Sequence, residues 1–444
     1  MRNGNPDPKS TCQDGPKKIH RQRTSFKLAA VSVAAAAVFG QPAAALADVV
    51  VGDSASLVAA LSESQPGARI VVLAGSYELD EALYVPDGVT LAGEGAMQFD
   101  SANLPIGMAA AGRTVLKAAT WLTGGVVTLG DGAGLQGLVI EDTEGRAGNV
   151  VVISSRSEGD SVAAWISQCE IVNASPVGVS PGGPTGRGVL LVTRNPNLGA
   201  APSPHENAAV SLTMNQSLVR APLAGSGVMA VNFAAHSRIT VFLTGNVIGG
   251  GLDMAGGVSR PDEVTDSSVT LESSRNLFRS DSPLPSPFGW NIVAATDAPV
   301  PGLAVDATHA NRLSIGSTHD RIEGFANGIY AQGGRRNSPL ANEVSMNELD
   351  IRASDLVLQT TAGDLLLFGD YSYVPGMPAG DGNVVRVVLR GAAGSGLRAN
   401  RYEHSLTHLG GGNKLVLPGN ADAFRQANRN ILPAPPANVF TSGH

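Results

Sequence analysis

Four segments of this chain align without a gap, and their spacing constrains the fold more than any other feature. They are VSLTMNQSLVR, ITVFLTGNVIG, VTLESSRNLFR and LSIGSTHDRIE. They start at residues 210, 239, 269 and 313, so the starts are 29, 30 and 44 residues apart. The first column is apolar (Val210, Ile239, Val269, Leu313), and so is the third (Leu212, Val241, Leu271, Ile315). The tenth is apolar again (Val219, Ile248, Phe278, Ile322). Between them lie small or polar pairs: Gln216/Ser217, Gly245/Asn246, Arg275/Asn276 and His319/Asp320. The long interval contains a proline-rich insert, SDSPLPSPFGWNIVAATDAPVPG, which accounts for its excess. A looser fifth copy starts at Val344.

A repeat of about 30 residues with apolar alternation and no helical period predicts a solenoid. Each coil would supply short strands that pair in parallel with the coils above and below, about 4.8 Å away. Inward side chains then stack into apolar columns. Asn, Asp and Ser fall at corners, where left-handed backbone and side-chain-to-backbone bonds are needed. An antiparallel sandwich has no reason to keep four copies in register.

Before the repeats, GDSASLVAALSESQPG supplies cap candidates Asp53 and Ser54, with Leu57, Val58 and Leu61 on one helical face. After Gly67 the helical period stops. The stretch GARIVVLAGSYELDEALYVPDGVTLAGEG reads as strand, turn and strand, with Ile70, Val72, Val89 and Leu91 starting inward columns.

The chain opens with basic residues (KKIHRQRTSFK), an apolar run (LAAVSVAAAAVFG) and small residues at Ala45–Ala47 before Asp48. That is the layout of a secretory signal cleaved after Ala47, with a secreted or periplasmic destination. No later segment is apolar enough to span a bilayer, so no integral membrane segment is expected in the mature chain. Residues 1–47 carry seven of the 31 basic and two of the 38 acidic side chains, which leaves a net charge of −12. An acidic surface argues against nucleic acid as partner. Cys12 leaves with the signal, so Cys169 has no intrachain disulfide partner and reads as a core residue in AAWISQCEIV.

The block SLVAALSESQPGARIVVLAGSYELDEALYVPDGVTLAGEG, followed by RTVLKA, resembles the opening of right-handed parallel β-helix proteins of the pectin lyase-like superfamily. The residues that carry the resemblance are Gly67, Ile70, Leu73, Gly75, Tyr77, Gly88, Val89, Leu91, Gly93, Gly95 and Thr114–Leu116. It implies an all-β fold, a right-handed parallel β-helix with a short N-terminal helix capping its open end. The domains expected are a signal over 1–47, a capping segment over 48–66, the β-helix over 67–420 and an irregular proline-rich tail over 421–444.

The resemblance carries no catalytic residue, because this superfamily holds enzymes and non-enzymes alike. Its polygalacturonase motifs (Asn-Thr-Asp, Asp-Asp, Arg-Ile-Lys) are absent. A lyase would need Ca²⁺ or Arg/Asn to neutralise a uronate, and a base to remove the adjacent proton. No regularly spaced Ca²⁺ signature appears. Lys117 and Lys414 are the two lysines after the signal, which removes a common base.

The columns place Arg275 beside His319, Asn276 beside Asp320 and Arg279 beside Glu323. Arg275, His319 and Asp320 are the catalytic candidates. Arg279, Glu323 and Trp290, the last as a stacking platform, are the binding candidates. The plainer reading is a ladder of exposed ion pairs. His404 and His408 in EHSLTH lack a third ligand, so no metal site is expected. Arg335 and Arg336 read as a solvated loop, and Tyr371 and Tyr373 as part of a proline-anchored loop. The expected function is therefore glycan binding or a cell-surface role without identifiable catalysis and without a cofactor. The alternative is a polysaccharide lyase or glycoside hydrolase acting on an acidic polysaccharide, with Ca²⁺ if a lyase.

Overall fold

The computed structural model describes residues 48–122, 124–174, 186–194, 206–221, 226–259, 262–280, 288–297, 307–339, 343–361, 363–374, 380–390, 414–418 and 439–443. The chain is a parallel β-helix. Its first coil runs through Arg69–Val72, Gly75–Leu79 and Leu83–Val85 before Thr90–Gly93 pairs in parallel with Arg69–Val72. Each of these three positions founds a parallel sheet, here called A, B and C. Among the described residues, sheet A has 13 strands and sheets B and C have nine each.

The columns read from the sequence are the columns of the fold. Ile239 pairs with Val210 and with Val269, and Val269 pairs with Leu313. In the next sheet Ile248 pairs with Val219 and with Phe278, and Phe278 pairs with Ile322. All point inward, into one continuous apolar core that extends from Val51 to Val387. Ile70, Val72, Val89 and Leu91 are fully buried in it. Burying these side chains is the main favourable term in folding, at about 1.5–3 kcal/mol for each large aliphatic or aromatic group.

Two expectations change. Leu313 pairs with Leu349, so the fifth copy starts at Leu349, not Val344. Val344–Ser345 is a short bridging strand that pairs with Thr308–His309 at a corner. Val439–Gly443, expected in an irregular tail, pairs in parallel with Lys414–Pro418 and extends sheet A beyond residue 420.

The helix Ser54–Glu63 starts at Asp53, whose Oδ1 accepts the Ser56 N–H at 2.8 Å. Leu57 and Leu61 are buried against the first coil. A strand that the repeat pattern did not announce, Val49–Val51, adds to the edge of sheet A before the helix.

The turn from sheet A to sheet B is two residues long in coil after coil. Its first residue is left-handed: Gln168 (φ 51°), Gln216 (φ 46°), Gly245 (φ 63°), Arg275 (φ 55°), His319 (φ 57°) and Asp355 (φ 54°). Its second residue is buried inside the turn. Ser217 N–H donates to Asn246 Oδ1 at 2.9 Å, Asn246 N–H to Asn276 Oδ1 at 2.8 Å, and Asn276 N–H to Asp320 Oδ1 at 2.8 Å. A second ladder closes the other end of sheet A. There Ser267 N–H donates to Asn311 Oδ1, Asn311 N–H to Asn347 Oδ1 and Asn347 N–H to Asn383 Oδ1, at 3.0, 3.0 and 3.1 Å. These side chains give the turned backbone the partners it would otherwise lack. The long strands of sheet A are thus pinned at both ends.

A hairpin of Met97–Phe99 and Pro105–Met108 folds over the outside of sheet B. Its Met108 N–H donates to Glu170 Oε2 at 2.9 Å, and Arg220 Nε donates to Glu170 Oε1 at 3.0 Å. Arg220 Nη2 also donates to Ile106 O at 3.2 Å. Cys169 lies in the core, where burial pushes its thiol up to about 12.

Candidate functional site

The connections are not distributed evenly. The A-to-B turn keeps its two residues, whereas the segments on either side of sheet C run as long as from Asn173 to Arg187 and from Val192 to Ala209. In a solenoid, insertions collect on the face that binds. The outward face of sheet C is therefore the candidate site.

That face changes character along the axis. Leu252, Trp290 and Ile329 form one inward column, and Met254, Ile292 and Ala331 another. The outward columns alternate with them. They begin as aliphatic side chains: Val152, Leu190, Val192 and Val231 pack together and are buried. Further along, Met229 gives way to Asp253, Asn291 and Tyr330 in successive coils. In the neighbouring column Val293 is followed by Gln332 and Phe368.

The resulting cluster is both aromatic and polar. The Phe288 and Tyr330 rings stack with centroids 4.3 Å apart, and Phe368 meets Tyr330 edge-on at 5.5 Å. Gln332 Nε2 donates to Tyr330 Oη at 2.6 Å, and Asn291 Nδ2 donates to Asp253 Oδ1 at 3.3 Å. Ser226 Oγ donates to Asp253 Oδ2 at 3.4 Å. Burial raises the pKa of Asp253, against the opposing pull of the Arg335 and Arg187 guanidiniums. Arg335 Nε donates to Thr296 Oγ1 at 3.1 Å, and Arg187 Nη1 donates to Asn149 Oδ1 at 3.3 Å. Among the described residues, Asn291 Oδ1 and Gln332 Oε1 are buried without a hydrogen-bond partner. Gln332, Tyr330 and Phe368 are buried, while Asp253, Phe288, Asn291 and Arg335 are partly exposed.

The structure separates the six residues picked from the sequence. Arg275 and His319 occupy the same corner in consecutive coils, and His319 Nε2 lies 3.3 Å from Asp355 Oδ2 on the exposed rim. Asp320 is inside the corner, fully buried, with Oδ2 accepting from Ser317 Oγ at 2.7 Å. Burial raises its pKa. It serves the ladder and does not face solvent. Arg279 pairs in register with Glu323, which makes an ion pair with Arg321. Trp290 is fully buried and packs edge-on against Phe278 at 5.5 Å, so it offers no face to a sugar ring. Its neighbour Asn291 points outward instead.

Arg335 and Arg336 are not in a loop but on the strand Asn327–Arg336. Tyr371 lies on the strand Gly363–Ser372, and Tyr373, just after it, is exposed. His404 and His408 lie outside the described residues. Among the described residues, no group of three metal-ligating side chains comes together, and no helix is long and apolar enough to cross a membrane.

The outward cluster escaped sequence reading because loops of unequal length hide the register of sheet C. A signal existed in the runs LDMA, WNIV and IYAQ, each an apolar residue followed by Asp253, Asn291 or Tyr330. Neither protein-family models nor curated proteins give a match to this chain.

Proposed function

We propose that this is an exported glycan-binding protein of pectin lyase-like type, with the ligand lying along the outward face of sheet C. Export rests on the signal layout of residues 1–47, with cleavage after Ala47. The binding reading rests on one observation above all. Phe288, Asp253 and Asn291, partly exposed beside the buried Tyr330 and Phe368 rings, lie on the face of sheet C, which long connections flank on both sides. Aromatic faces and hydrogen-bonding side chains are what a sugar ring, apolar on its faces and polar on its rim, requires.

The test is affinity electrophoresis of the purified protein through gels containing a range of polysaccharides. Retardation by at least one glycan, reduced at least tenfold in affinity by Phe288→Ala, is the expected result. Uniform lack of retardation would remove the reading.

A second reading, cleavage of an acidic polysaccharide, is favoured by Asp253. A carboxyl whose pKa is raised by burial beside two guanidiniums can hold a proton for a leaving group. Ultraviolet absorbance from unsaturated products, or new reducing ends, would support it. Their absence across neutral and uronate polymers, with and without Ca²⁺, would exclude it.

A further inference from the structure

Sheet A turns a second face outward, and this one is flat and open. Its strands Ala209–Asn215, Arg238–Thr244, Ser268–Ser274 and Arg312–Thr318 have seven residues each, so the face is about 23 Å wide. They pair without a slip, and Ser161–Ser167 precedes them in the same register. Outward side chains therefore form straight columns, one residue per coil, about 4.8 Å apart.

The central column runs Trp165, Thr213, Phe242 and Glu272. The side chains at its two ends lie down on the sheet. A Cβ placed on Gly134, in the coil before Trp165, would fall 1.9–2.4 Å from three atoms of the indole, so the ring covers Gly134. A Cβ on Gly316, in the coil after Glu272, would fall 2.5 Å from Glu272 Oε2, so the carboxylate covers Gly316. Between them Thr213 and Phe242 are exposed, and Trp165 is partly so. Ser211, Thr240 and Thr270 form a hydroxyl column on one side, and Asn215, Thr244 and Ser274 a polar column on the other. Among the described residues of the three strands from Ser161 to Thr244, Arg238 carries the one outward charge, at a strand end.

This surface suits one ligand chemistry. Aromatic rings stack on the apolar faces of sugars, and rows of hydroxyls meet their equatorial hydroxyls. An uncharged strip on a chain with 38 acidic and 31 basic side chains matches a neutral polymer. The coil step is close to the rise per sugar of an extended, equatorially linked chain, so side-chain rows and sugars keep step over several coils.

Flatness sets the physical form of the ligand. With no walls, the face touches a chain from one side only. A dissolved chain would give up its conformational freedom for half of its contacts, whereas a chain already fixed among parallel neighbours has little freedom to lose. A face this wide also meets several such neighbours at once.

We propose that the outward face of sheet A binds the flat surface of an ordered, neutral polysaccharide made of ribbon-like chains, with Trp165 and Phe242 as stacking platforms. This face is separate from the site on sheet C, and the proposal stands without the glycan reading made there. A dissolved glycan would leave Phe242 unprotected.

The test is depletion of the protein from solution by microcrystalline cellulose, by chitin particles and by starch granules, whose coiled chains present no flat ribbon. Retention by cellulose or chitin at least tenfold stronger than by starch is expected, and the two arms show which ribbon is preferred. Dissolved oligosaccharides of the retained polymer should not displace the protein. Phe242→Ala and Thr213→Arg should each weaken retention at least tenfold. Both positions are exposed, and circular dichroism checks that the variants fold. No retention by either ribbon, equal retention by starch, displacement by dissolved oligosaccharide, or wild-type retention in both folded variants would each overturn the proposal. Retardation by dissolved glycan in affinity electrophoresis would be untouched by any of these results.

Discussion

Asn276 donates twice to one oxygen of Asp320: its backbone N–H reaches Oδ1 at 2.8 Å, and its side-chain Nδ2 reaches the same atom at 3.2 Å. Asn276 Oδ1 in turn accepts from the backbone N–H and the Nδ2 of Asn246, at 2.8 and 2.9 Å. Asn276→Ala would strand buried groups in both neighbouring coils. The expected loss is about 3 kcal/mol by urea denaturation, since each buried polar group left unpaired costs about 1–3 kcal/mol.

Asp320 itself should make stability depend on pH in an unusual direction. Burial raises its folded pKa, so the folded state holds the proton more readily than the unfolded chain does. The stability it contributes is full below the unfolded carboxyl pKa, about 3.9, and is lost as pH rises through the folded value. Asp320→Asn keeps the Oδ1 acceptor and removes the charge. The variant should be more stable than wild type near neutral pH and lose that advantage at about pH 4. An advantage of equal size at both pH values would refute this.

Trp290 belongs to the core, and its removal should read as a cavity. Trp290→Ala is expected to cost about 3–5 kcal/mol, and Trp290→Phe less than half of that. A change in glycan affinity with unchanged stability would instead mean that the ring meets ligand.

The corner residues Arg275 and His319 are chosen by backbone geometry. With φ near the left-handed value, Arg275→Gly should be tolerated, while Arg275→Val should cost about 1–2 kcal/mol. Arg275→Gly and His319→Ala should leave glycan binding unchanged. Tenfold weaker binding in either would return the site to this corner.

Glu170 holds the hairpin of Met97–Met108 to sheet B through Met108 and Arg220. Glu170→Ala should cost about 2 kcal/mol, in the range of hydrogen bonds to a charged group. It should also raise binding of an apolar dye, because Val139, Leu218 and Val247 lie beneath the hairpin.

The contrast between Phe278 and Asn291 shows how far the sequence could be read. Phe278 follows a two-residue turn of constant length, so its column with Val219, Ile248 and Ile322 is visible as a gapless alignment. Asn291 follows a connection that varies from coil to coil, and its outward column with Asp253 and Tyr330 has no fixed offset. Fold was legible because packing repeats, whereas the candidate site was not, because it sits where the repeat is interrupted. Asp320 misled for a related reason. A polar residue in a repeating column reads equally as a surface ladder or as an internal one, and only burial separates them.

Hydroxyl-radical footprinting of the protein with and without bound glycan tests the central claim most directly. The account predicts loss of reactivity in Phe288–Asp297 and Asn327–Arg336, with Phe288 foremost, and no change at His319 or at Phe242 on the outward face of sheet A. Protection at His319 or Phe242, with Phe288 unchanged, would contradict it.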